Sequence, residues 1–154
     1  MKAAIALAAL ATLAAAPPAK PAPAPPAGAA MSLAPIGSTD DGDFFLDRTS
    51  VIVQRPSGVR MARVVEKLNK LQHEEDGGAQ YDAQMTLFYI NCQDRSLMLS
   101  NSVDIDTSVD GGKVVYRLLE QDLPFDDPAD YHKVTDGTVE AGTVDATCAA
   151  PPAG

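Results

Sequence analysis

The two cysteines and two histidines of this 154-residue chain are the side chains best suited to covalent or metal chemistry. Cys92 ends the strongest strand signal in the sequence, and Cys148 lies close to the C-terminus. A catalytic thiolate needs an imidazole held beside it. His73 and His132 each stand in polar sequence with no recognisable catalytic context, and neither has partners at zinc-ligand spacing. In an oxidising compartment two such cysteines pair, so a Cys92–Cys148 disulfide is expected. Closing a loop of this length stabilises by about 4 kcal/mol in the chain-entropy treatment, a large share of the roughly 5–15 kcal/mol that holds a domain together.

The acidic residues suggest calcium at first sight. Asp104-Ile105-Asp106-Thr107-Ser108-Val109-Asp110-Gly111 resembles the opening of a calcium loop, but counted from Asp104 the glycine position holds Val109 and the bidentate position Val115. Counted from Asp106, the last position is Arg117. The other acidic groups, Asp40, Asp41 and Asp43 or Asp126, Asp127 and Asp130, read as solvated turns. There is no nucleophile elbow, phosphate-cradling glycine loop or metalloprotease motif. No catalytic residue, metal or cofactor is therefore expected.

One charge asymmetry stands out. Arg55, Arg60, Arg63, Lys67 and Lys70 fall in one segment, opposed there by Glu66 alone, in a chain of formal net charge −9. On one strand and its preceding turn they would form a basic band, so they are the candidate binding residues. The partner expected for such a band is an acidic protein or polyanion, from a host or from the envelope, with a homodimer left open. The overall acidity repels nucleic acid.

The elements that must position these groups follow from periodicity. Residues 83–92 place Met85, Leu87 and Tyr89 on one face and Thr86, Phe88 and Ile90 on the other, as in a central strand covered on both sides. Gln93-Asp94-Arg95 supplies a turn. Residues 96–106 then alternate, with Leu97, Leu99, Asn101, Val103 and Ile105 opposite Ser96, Met98, Ser100, Ser102 and Asp104. Upstream, Phe44-Phe45-Leu46 predicts a short strand closing at Asp47, followed by a turn and a second short strand, Val51-Ile52-Val53. Met61, Val64, Val65, Leu68 and Leu71 recur at helical spacing, although the Arg55-Pro56-Ser57-Gly58 turn and the adjacent valines suit a strand. Residues 73–82 predict a solvated loop. Downstream, Asp110-Gly111-Gly112 predicts a turn and 113–119 a strand. Residues 138–150 predict a closing helix capped by Asp136 or Thr138 and stopped by Pro151-Pro152.

Met1-Lys2 and the apolar run 3–16 have the form of a secretory signal, too short to remain as a membrane-spanning helix in the mature chain. Residues 17–37 are Ala/Pro-rich and predict an extended polyproline linker. The folded domain is expected at 38–150, exported to the periplasm or the cell surface.

The run Phe44-Phe45-Leu46-Asp47-Arg48-Thr49-Ser50-Val51 is followed by a turn at Gly58 and a strand ending Ile90-Asn91-Cys92. A basic residue and Leu97 come next, and a last cysteine lies near the end. This order resembles the bacterial surface-adhesin protein E family, over residues 43–149. The resemblance implies an α+β fold, an antiparallel sheet of about six strands with a C-terminal helix stapled by a disulfide. It implies adhesion or ligand binding rather than an enzyme, and it turns 59–71 into a strand paired with 83–92. The rivals are a structural envelope protein without a ligand and a periplasmic hydrolase.

Overall fold

Strands rich in β-branched and aromatic residues, joined by short polar turns, pair with their sequence neighbours into a single antiparallel meander. The computed structural model describes residues 31–55, 57–74, 78–109, 112–117 and 127–153. The expected signal segment 1–16, residues 17–30 of the expected linker, the Asp110-Gly111 turn and Asp126 lie outside the described residues. The strands are β1 (Leu33–Ser38), β2 (Gly42–Val53), β3 (Arg60–His73), β4 (Gln80–Asn91), β5 (Ser96–Asp106) and β6 (Lys113–Arg117), side by side in chain order. A short β7 (His132–Lys133) pairs with Ser96 and Leu97 of β5. One helix, α1 (Val139–Ala149), packs across β1 to β5 on one face of the sheet. The α+β fold, with its sheet, C-terminal helix and disulfide, is as expected. No helix among the described residues is long and apolar enough to cross a membrane.

β3 is a strand throughout its 14 residues, paired with β2 and β4. Its helix-like spacing has a simple origin. A central strand buries both faces, so neighbouring apolar residues such as Val64 (3% exposed) and Val65 (6%) both point into packed surroundings, and strict alternation disappears.

β2 departs from expectation. The turn predicted after Asp47 is a bulge within one continuous strand, where the pairing with β3 shifts between Asp47 and Ile52. Asp47 Oδ1 accepts from Thr49 N (3.0 Å) and Thr49 Oγ1 (2.6 Å), while Ser50 Oγ donates to Asp47 O (2.6 Å) and accepts from Arg63 N (2.8 Å). These side-chain bonds replace the missing ladder.

Three further boundaries move. Residues 33–37, assigned to the linker, belong to edge strand β1, so the paired sheet starts before residue 38. The loop predicted at 73–82 is shorter, because Gln72 pairs with Tyr81 and His73 with Gln80. In β5 the register slips at Ser100: Phe88 pairs with Leu99 but Leu87 with Asn101. Ser102 therefore lies on the helix side with Leu97 and Leu99, and the simple alternation predicted for 96–106 breaks in the middle of the strand.

The helix side carries the main core, Leu46, Val51, Ala62, Ile90 and Leu97 against Val144. The other side holds Val59, Met61, Tyr89 and Met98, with Tyr131 packed on them. Thr138 caps α1 by accepting from Ala141 N (3.2 Å), one of the two caps expected. Gly142 lets the helix approach β1; an added Cβ would stand 2.7 Å from Ile36 Cγ2. At the other end Arg60 Nη1 donates to Thr147 O (2.8 Å) and Ala150 O (2.5 Å), satisfying terminal carbonyls at the negative pole of the helix. The Cys92–Cys148 disulfide, with Cα atoms 5.7 Å apart, ties this end to β4.

Candidate functional site

Where the first turn of α1 overhangs the sheet, the two layers do not close, and a half-open cavity of about 260 Å³ remains. The register builds it. Phe44, Glu66 and Gln84 form one cross-strand row over β2, β3 and β4, and Val64 and Thr86 belong to the next. Phe88 and Leu99 complete the sheet's contribution, while Val139, Glu140 and Thr143 of α1 form the roof.

Most polar groups of the lining are bound to protein neighbours. Gln84 Nε2 donates to Asp104 Oδ1 (2.9 Å), the Thr86 and Ser102 hydroxyls lie 3.0 Å apart, and Thr143 Oγ1 donates to Val139 O (2.9 Å). Glu140 Oε1 lies 3.5 Å from His132 Nε2, both side chains being about half exposed. Glu66 differs from these. It is half-buried, and among the described residues its carboxyl makes no hydrogen bond or ion pair. Burial, and then the nearby negative charge of Asp41, raise its pKa above the ordinary carboxylate value. Gly42 lets the Glu66 stem lie close; a Cβ there would stand 3.1 Å from Glu66 Cγ and 2.4 Å from Lys67 O.

The basic band does not assemble. Successive strand residues point to opposite faces, so Arg60 lies on the helix side and Arg63 on the other. Arg60 is held by the end of α1. Arg63 Nη2 lies 2.7 Å from Oδ2 of Asp47, which is fully buried. Lys67 Nζ stands 5.1 Å from the centroid of the Phe45 ring. Lys70 is exposed near the end of β3 and Arg55 in the turn that precedes it, so the length of the strand, at about 3.3 Å per residue, separates them by roughly 30 Å.

The acidic turns are structural where described. Asp106 Oδ1 accepts from Ser108 N and Oγ, and Asp127 Oδ1 from Ala129 N, as in ordinary Asx turns. Among the described residues no group of three or more His, Cys, Asp or Glu side chains is placed to hold a metal. A second, shallower cavity of about 480 Å³ lies beside α1 at Arg95, but its charges are paired: Arg95 reaches Asp136 (3.2 Å) and Asp145 (3.1 Å).

Sequence reasoning passed over Glu66, counting it only as the lone negative charge among cations. Its environment depends on Gly42, on the cross-strand row and on the overhang of α1, none of which is local. Compared with known proteins, the chain matches no family model, no curated protein and no solved structure.

Proposed function

We propose that the chain is an exported binding module of a bacterial cell envelope, of the surface-adhesin E kind, and that its contact is the cavity under α1 rather than the cations of β3. The observation that carries this reading is the half-buried Glu66 carboxyl, left without a partner among the described residues beside Phe44 and Phe88. A partly desolvated, unpaired carboxyl opposes folding. A purely structural envelope protein gains nothing by keeping one, whereas an open cavity with a few polar groups is the usual form of a ligand site. The sheet with its disulfide-tied C-terminal helix supports the adhesin E resemblance, and the disulfide together with the apolar run after Met1-Lys2 supports export. A hydrolase using a serine or threonine nucleophile would need a base bonded to a hydroxyl at the cavity, but Thr86 is bonded to the Ser102 hydroxyl and Thr143 to the Val139 carbonyl.

The test is amide chemical-shift mapping of the oxidised protein against a library of small amphiphiles, with heparin as a polyanion control. Shifts clustered at Phe44, Glu66, Phe88 and Val139 are expected. Shifts confined to Lys67 and Lys70 on adding heparin would instead place the contact on the cations and overturn the cavity reading.

A further inference from the structure

Taking that reading as its premise, the charge around the cavity also specifies the occupant: we infer that the site takes a small free organic amine, an ammonium group carried on a short apolar body. Among the described residues, every charged group facing the cavity is acidic or is tied to an acid. Glu66 projects from β3 and Glu140 from α1, Asp104 of β5 is bound to the lining Gln84, and Asp41 precedes β2 close enough to act on Glu66. His132 faces Glu140 from outside. Among the described residues no lysine or arginine lines the space, and the chain's net charge of −9 favours the approach of cations.

An ammonium at Glu66 would give its carboxyl the cationic partner that no described side chain supplies, and charge-assisted bonds of this kind are the stronger class. The Phe44 and Phe88 side chains line the space with Val64, Leu99 and Val139 and make an apolar wall for an alkyl chain, and an aromatic ring attracts a cation placed over its face. A neutral guest could donate at most an uncharged hydrogen bond and would leave the negative charge uncompensated, and an anion would be repelled. The volume of about 260 Å³ falls below the roughly 300–1,000 Å³ of drug-sized sites. The α1 overhang roofs the space, which suits a whole small molecule better than a side chain still attached to its backbone.

The experiment titrates the oxidised protein and its E66Q variant with hexylamine, 1-hexanol, hexanoate and N-acetyl-lysine amide, followed by amide shifts and calorimetry. Hexylamine is expected to bind at least about tenfold tighter than hexanol, the equivalent of one charge-assisted hydrogen bond. E66Q is expected to remove that advantage while leaving hexanol unchanged. Equal binding of hexanol or hexanoate, or an E66Q variant that holds hexylamine as well as the parent, would overturn the amine assignment and leave the cavity reading standing. Tighter binding of the lysine amide would make the occupant a protein's lysine and overturn the free-amine assignment. No shift at Phe44, Phe88 or Val139 with any probe would overturn both.

Discussion

Of the carboxyls on the β2–β3 ladder, Asp47 and Glu66 are treated by the sheet in opposite ways. Asp47 is fully buried and fully engaged: Arg63 at 2.7 Å, both donors of Thr49, and Ser32 N at 3.2 Å. Glu66 is less buried, on the other face, and has no protein partner among the described residues. A bulge gathers donors around the first, because side chains there stand in for a broken ladder. The second lies in regular pairing with Phe44 and Gln84, where the backbone groups satisfy one another and the side chain must look elsewhere. Burial alone does not set Glu66 apart from Asp47; the lack of a partner among the described residues does.

Loosening the layer that roofs Glu66 without touching either carboxyl gives the largest effect. Replacing Cys92 and Cys148 with alanine should cost about 4 kcal/mol of stability, read by urea denaturation, and should abolish amine binding before the Asp47 cluster is lost. Removing the partner of Asp47 comes next. R63A leaves a buried carboxylate unpaired and should cost about 3 kcal/mol, the low end of the range because Arg63 is partly exposed. R60A removes two charge-assisted bonds to the end of α1 and should cost about 2 kcal/mol. The triple reversal of Arg60, Arg63 and Lys67 to Glu, harmless if these were a solvated band, should therefore unfold the protein, and circular dichroism would show it.

E66Q should have the smallest effect and the opposite sign. The folded-state pKa of Glu66 lies above its unfolded value. Its contribution to stability is therefore fully present below the unfolded pKa and is lost as pH rises through the folded one. At neutral pH the glutamine variant should be slightly the more stable, and the difference should fade as pH falls through the carboxylate range. Thermal unfolding from pH 7 to pH 4 measures this. A variant less stable at every pH would mean that Glu66 makes a favourable contact, and would weaken the contrast with Asp47.

Much of the fold was legible because its signals are local. The Thr138 cap and the prolines after α1 mark the helix, the cysteine pair marks its attachment, and the turn residues Gln93-Asp94-Arg95 mark the central hairpin. β3 was legible only through its preceding turn, its adjacent valines and the resemblance, since its own period suggests a helix. The bulges at Asp47–Ile52 and at Ser100 were not legible, because each depends on the partner strand. The site was hidden for the same reason. Which cations share a face follows from the pleat once β3 is a strand, but what each reaches depends on α1 and β2, far away in sequence.

The meander also bears on how the protein matures. Along the path β1 to β6 each strand pairs with its neighbours in sequence, so the sheet is assembled from short loop closures. Cys148 is 56 residues from its partner and reaches it only when α1 settles on a surface that the strands have already built. Oxidation then acts as a late latch and has no part in choosing the strand order. With only two cysteines in the chain, the one mispairing open to it is with a second molecule. Crowding of nascent chains, rather than disulfide scrambling within one chain, is therefore the step at which production of this protein should fail.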